Sequence, residues 1–168
     1  MTPVAAGKPE NFVFQAEDGI RVPLWSRGLG DVYKRQVFSP VGGGGLISGM
    51  ASYIKHYAPQ IKVIGVEPVD SPTLFKALEV NERVVLDDVG RFADGVAVKQ
   101  IGELPFEIAK ECVDDVILVS NDEMCAAIKD IYEDVRSISE PAGALATAGV
   151  KKYILEHGLK NKNIVSIV

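Results

Sequence analysis

Four consecutive glycines, Gly42 to Gly45, are the residues of this chain best suited to holding an anion. With no side chains in the way, several backbone N–H groups can approach one ligand, and a helix that follows adds partial positive charge at the same spot. One or two glycines would serve a turn needing positive φ, so a run of four favours close approach of a phosphate to the backbone. The nucleotide signatures can be checked directly. A P-loop ends in Gly-Lys-Ser/Thr, but this run continues Gly45-Leu46-Ile47, leaving no lysine for a γ-phosphate and no hydroxyl for magnesium. A dinucleotide fingerprint begun at Gly42 meets Ile47, and one begun at Gly43 meets Ser48, where glycine or alanine is required. Glu67, about twenty residues on at the end of the next strand, keeps a dinucleotide site as a minor alternative.

Other reactive side chains are sparse. Cys112 and Cys125 stand in no Cys-x-x-Cys or His-paired spacing, so they are expected to be buried, reduced thiols rather than metal ligands or a disulfide. His56 and His157 fall near the ends of expected helices, where a cationic ring meets the negative end of the dipole. No metal site is expected.

The elements that would position the glycines follow from hydrophobic period and punctuation. Val37 to Val41 reads as a short buried strand, and Leu46 to Tyr57 as a helix ending before Pro59. A second strand runs from Ile61 to Glu67. Ser71 then fits an N-cap with Pro72 at the first helical position, opening a helix to about Val80. Residues 81–100 are irregular. Ile101 to Cys112 reads as a helix and Val116 to Val119 as a strand. Ser120 with Glu123 forms a capping box for a helix to about Arg136. A last helix runs from Glu140-Pro141 to His157 with Gly158 as its stop, before a strand from Asn163 to Val168. Continuous apolar strands alternating with helices argue for an α/β fold whose parallel sheet is covered on both faces, with ligands at the carboxyl ends of the strands. Met1 to Gln36 shows neither period and reads as a linker or disordered leader.

Composition narrows the partners. The 168 residues are 47% hydrophobic and 24% charged, a globular balance. A net charge of -5 offers no field to hold a polyanion, so nucleic acid is not expected. No apolar run approaches the roughly 18 residues of a membrane span, and no signal peptide opens the chain. A small-molecule ligand and a cytoplasmic location are the expectation.

Four motifs in order, Ser39-Pro40-Val41-Gly42-Gly43-Gly44-Gly45-Leu46, Val63-Ile64-Gly65-Val66-Glu67-Pro68, Ala93-Asp94-Gly95-Val96-Ala97-Val98 and Glu140-Pro141-Ala142-Gly143-Ala144, resemble the threonine dehydratases. The stretches Gly90 to Lys99 and Ile131 to Arg136 favour the biosynthetic branch, threonine ammonia-lyases of the isoleucine pathway, over serine racemase or the catabolic dehydratases, with a serine dehydratase or serine racemase of the same family as the alternative. The resemblance covers Val37 to Val168. It implies a fold-type II, tryptophan synthase β-like catalytic domain, pyridoxal 5'-phosphate as cofactor, an amino acid as substrate, and a homo-oligomer in the intact enzyme. Residue by residue, it implies that Gly42, Gly43, Gly44, Gly45 and the backbone of Leu46 grip the cofactor phosphate. Gly95 matches a glycine lying against the cofactor ring, with a plain turn glycine as its alternative. Glu140 matches a carboxylate beside the ring and substrate, with a favourable helix-terminus charge as its alternative. Glu67 matches an acidic position that in some relatives helps hold a cation, but with Ser71 and Thr73 beside it a surface carboxylate is the preferred reading.

The sequence also departs from the pattern. Ala142 stands where many relatives have Ser or Thr. The family's Schiff-base lysine, set in a Ser-Phe-Lys-like motif, matches nothing here, since Lys34 in Val32-Tyr33-Lys34-Arg35-Gln36 lacks that context. The Ser-Gly-Ala-Asn motif that faces the pyridine nitrogen would follow Val168. Residues 37–168 are therefore expected to be an internal part of the catalytic domain, with no catalytic residue of its own and little or no activity, or simply a truncated α/β piece. Gln15 to Arg21 and Ser26 to Gln36 look like translated sequencing adapter, so residues 1–36 are expected not to be natural protein.

Overall fold

The structure is a computed structural model that describes residues 34–160 and 162–168. Strand β1 (Lys34–Pro40) leads through the glycine run into helix α1 (Gly45–Tyr57), followed by β2 (Lys62–Pro68) and α2 (Thr73–Val80). After an irregular stretch holding a 3-10 turn at Asp94–Val96 come α3 (Glu103–Cys112), β3 (Asp115–Val119), α4 (Asn121–Val135), α5 (Pro141–His157) and β4 (Asn163–Ser166).

All strand pairs are parallel, in the order β3-β2-β1-β4, with Phe38 opposite Ile64 and Ser166, and Gly65 opposite Val116. Period-two alternation sorts each strand between two cores. Val37 and Val63 join Ile47, Ala51 and Ile54 of α1 on one face. Phe38, Ile64 and Val66 join Leu145, Ala148 and Tyr153 of α5 on the other. The α/β class and the two-sided cover expected from the apolar strands are therefore present. Successive strands step outward from β1 to β2 and β3, and then β4 returns to the opposite side. The boundary between β1 and β4 is thus a topological switch point, where open parallel sheets bind ligands.

Small residues set how closely α5 approaches. A Cβ on Gly149 would lie 2.5 Å from Cγ2 of Val66, and Ala144, Ala146 and Ala148 are buried beside it. Phe38 meets Tyr153 edge-on at 5.3 Å, and Tyr153 stacks on His157 at 3.9 Å. His56 and His157 both lie in the last turns of their helices, as expected.

Local signals hold at α4 and α5. The hydroxyl of Ser120 accepts from the N–H of Glu123, whose carboxylate accepts from the N–H of Ser120 at 2.7 Å. Pro141 begins α5, and Gly158 ends it in the left-handed region at φ 57.

Other expectations need correction. β1 begins at Lys34 rather than Val37, because strand pairing uses backbone groups and does not require apolar side chains; Lys34 pairs with Asn163 and Gln36 with Lys62. Residues 1–33, with most of the proposed leader, lie outside the described residues. Helix α3 starts two residues later than read, and β4 ends at Ser166. Ser71 does not cap α2: Pro72 occupies the cap position, and the hydroxyl of Ser71 donates to the carbonyl of Val98. Glu67 is no surface carboxylate but is fully buried. It replaces the missing cap, accepting from the hydroxyl of Thr73 at 2.9 Å and from the N–H groups of Leu74 and Phe75 at 2.8 Å. Cys125 is exposed and Cys112 half-buried, because the inward stripe of α4 runs through Met124, Ala127 and Ile131.

Candidate active-site cleft

The glycine run turns the chain from the carboxyl end of β1 into the N-terminus of α1. Its glycines fall into two groups. Gly44 adopts φ 86, and a Cβ there would lie 2.8 Å from Ile101 and 2.9 Å from Pro105. A Cβ on Gly42 would lie 3.1 Å from the Cα of Val96 in the 3-10 turn. Packing and backbone conformation therefore account for these two. Gly43 and Gly45 have negative φ, and a Cβ on either would meet nothing within 4 Å. They are exposed to open space rather than pressed against protein.

That space is a cleft of about 360 Å³, within the range of small-molecule sites. It lies at the switch point, between the end of β1, the residues after β4 and the N-terminus of α5. All seven residues singled out from the sequence, Gly42, Gly43, Gly44, Gly45, Leu46, Gly95 and Glu140, line it. Sequence reasoning gave no role to Val96, Gly143, Ile167 and Val168, which also line the cleft. Their signal was positional: the last two follow the carboxyl end of the strand beside β1.

Hydrogen bonding leaves the loop's donors without backbone partners among the described residues. Among the described residues, the N–H groups of Gly43, Gly44, Gly45 and Leu46 donate to no backbone carbonyl, whereas the carbonyl of Gly44 accepts from Ser48 at 3.0 Å and that of Gly43 from Gly102 at 3.1 Å. The carbonyls are thus turned into protein, and the positive end of the α1 dipole faces the cleft. Glu140 is the one charged side chain among the described lining residues. Among the described lining residues an anion would meet backbone dipoles and no lysine or arginine.

Gly95 owes its small size to protein contact: a Cβ would lie 3.0 Å from Cβ of Ala142 and 3.4 Å from Oε1 of Glu140. The 3-10 turn is thereby clamped between Gly42 on one side and the start of α5 on the other. Glu140 is the N-cap residue of α5, but its side chain makes no capping hydrogen bond and is exposed at the cleft. Ala142 presents a methyl group at this part of the wall. Glu67 lies away from the cleft with both oxygens occupied by α2, and the described residues contain no cluster of three or more His, Cys, Asp or Glu able to hold a metal. The dinucleotide role considered for Glu67 is closed by the same burial.

A glycine run with unpaired N–H groups at a parallel-sheet switch point is an arrangement that suits an anion, and comparison with known proteins narrows the reading. Residues 25–168 match the family described as pyridoxal-phosphate dependent enzyme. The chain belongs to this family. It is 53% identical over 133 residues to the biosynthetic L-threonine dehydratase of Pasteurella multocida, covering 79% of this chain and 26% of that protein. Against the biosynthetic, chloroplastic threonine dehydratase of Arabidopsis thaliana the identity is also 53%, over 78% of this chain and 22% of that protein. The chain thus spans about a quarter of the length of these relatives. Among solved structures, the processed form of threonine deaminase isoform 2 from Solanum lycopersicum superimposes with a TM-score of 0.80 at 47% identity, over 84% of this chain and 40% of that one. A serine racemase from Dictyostelium discoideum matches with a TM-score of 0.71 at 34% identity, over 81% and 43%. The fold-type II architecture expected from the motifs is thereby established. The match also begins twelve residues before Val37, where the resemblance was read to start.

Proposed function

We propose that the cleft holds pyridoxal 5'-phosphate by its phosphate, and that the intact protein is a threonine dehydratase converting L-threonine to 2-oxobutanoate and ammonia in isoleucine biosynthesis. The observation that carries the cofactor reading is the pair Gly43 and Gly45. Neither backbone conformation nor packing calls for glycine at these positions, and a Cβ on either would project into the space a ligand needs. The substrate reading rests on the names of the relatives at about half identity.

Bound here, pyridoxal phosphate supplies an electron sink for the pair left when the α-proton departs. The chain's own part is orientation. The N–H groups of Gly43, Gly44, Gly45 and Leu46 would hold the phosphate, and the dipole of α1 would favour its charge. Val96 and Ala142 would offer the cofactor an apolar stretch of wall. Glu140 presents an acceptor to a proton-bearing group at the rim. No lysine lines the cleft among the described residues, and we read the Schiff-base lysine as lying elsewhere in the intact enzyme.

Titration of the purified chain with pyridoxal phosphate, then borohydride reduction and peptide mass mapping, tests both parts. Saturable binding displaced by inorganic phosphate, with no single lysine labelled stoichiometrically and no 2-oxobutanoate released from threonine, is the expected result. Failure to bind would remove the cradle; one stoichiometric lysine, or robust turnover, would show that the chain holds the full site. The match to serine racemase supports a second substrate, serine, which product analysis on the intact enzyme separates from threonine. We further read the intact enzyme as a homo-oligomer, as the resemblance of its motifs implies, and place it in the cytoplasm. Relatives in plants and yeast carry chloroplastic and mitochondrial names, and no helix among the described residues is long and apolar enough to cross a membrane.

A further inference from the structure

We propose that Gly102, fifty-seven residues beyond the glycine run's last member, is the positioning residue that aims the cradle at its phosphate. The inference rests on reading the cleft as a phosphate site. The N–H of Gly102 donates to the carbonyl of Gly43 at 3.1 Å. A peptide unit is planar and trans, so its C=O and N–H point in opposite directions. Holding the Gly43 oxygen back toward Gly102 therefore turns the N–H of Gly44 away from the protein and toward the cleft. The adjoining carbonyl of Gly44 is held by the N–H of Ser48, which treats the N–H of Gly45 in the same way. That second anchor is ordinary helix bonding. The first is supplied from a distant segment, and without it the Gly43–Gly44 peptide could rotate.

The identity of residue 102 matches this role. Its φ of -61 and ψ of 152 are open to any residue, so backbone conformation does not call for glycine. Space does: a Cβ would lie 3.0 and 3.1 Å from the ring of Pro105 and 3.3 Å from the carbonyl oxygen of Gly43 itself. Pro105 also abuts Gly44, and Ile101 closes the same side. The Ile101–Pro105 segment is thus a fitted backstop, and a methyl at 102 would press on the one carbonyl whose direction sets the donor.

The test compares pyridoxamine 5'-phosphate with pyridoxamine by calorimetry. These ligands differ only in the phosphate, and neither forms an imine with lysine. The unsubstituted chain is expected to prefer the phosphorylated ligand. Gly102→Ala is expected to lower that preference about tenfold, the scale of a charge-assisted hydrogen bond, while leaving pyridoxamine affinity unchanged. A general loosening of the fold would weaken both ligands alike. If Gly102→Ala does not fold, Gly102→Ala/Pro105→Ala is compared with Pro105→Ala, which removes the ring and leaves the carbonyl contact; a lower preference in the double variant is expected. An unchanged preference in the Gly102 variants, or equal weakening of both ligands, overturns the inference alone. No phosphate preference in the unsubstituted chain overturns it together with the cradle.

Discussion

Oε1 of Glu67, at the end of β2, accepts the N–H of Leu74 in the first turn of α2 at 2.8 Å, so a carboxylate from one element serves as the cap of another. Replacing Glu67 by Ala would strand the N–H groups of Leu74 and Phe75 and the hydroxyl of Thr73 in a buried setting. Such losses run to about 3 kcal/mol, and urea unfolding of Glu67→Ala should show a fall of that order.

The same residue gives a pH signature. Burial pushes its carboxyl above the ordinary 4.5, against hydrogen bonds from Leu74, Phe75 and Thr73 that pull it down. A folded value above the unfolded one means that the folded state holds the proton more tightly, so this contribution favours folding at low pH and fades as pH rises through 4.5 to the folded value. The stability difference between the parent and Glu67→Gln, followed by denaturant melts, should shift against the parent across that window.

Glu123 should behave in the opposite sense. Its slight burial raises the carboxyl, but the N–H and hydroxyl of Ser120 and the charge of Lys152 outweigh that and hold it below 4.5. The stabilisation is complete above 4.5 and is lost as pH falls through the folded value. Ser120→Ala should cost about 1 kcal/mol near neutrality and markedly less in acid, measured by melts at both conditions.

Single alanines in the glycine run should separate folding from binding. Gly44→Ala, strained at φ 86 and crowded by Ile101, is expected to cost about 2 kcal/mol of stability. Gly43→Ala and Gly45→Ala should stay within about 0.5 kcal/mol of the parent, as open positions do. They should nonetheless weaken pyridoxamine 5'-phosphate by about tenfold or more, the cost of forcing a methyl into a filled site. Parallel thermal melts and calorimetry check the contrast.

Gln36 carries a buried Oε1 with no hydrogen-bond partner among the described residues, on the strand face shared with Phe38. Gln36→Leu should therefore stabilise the chain by about 1 kcal/mol in denaturant melts, by removing an unmet acceptor from the core.

Much of this was legible in local sequence. The Ser120–Glu123 box, Pro141 and Gly158 act within a few residues of themselves, and the apolar strands carried the two-sided sheet. The seven cleft residues were found because glycine at the end of a buried strand has few other uses, and because the family motifs keep their order. What escaped depends on distant partners. Glu67 looks solvent-facing until α2 folds back over the end of β2. The onset of β1 at Lys34 comes from the backbones of its neighbours, and the exposure of Cys125 from the angle at which α4 settles on α5. Gly102 shows nothing unusual in its own dihedrals; the ring of Pro105 and the carbonyl of Gly43, brought against it by the fold, give it a reason to be glycine.

The split among the four glycines also has an evolutionary consequence. Copies of this stretch that drift under selection for folding alone would keep Gly42 and Gly44 and accept alanine or serine at positions 43 and 45. Retention of all four in a newly sampled lineage would mark the ligand, rather than the fold, as what selection still sees.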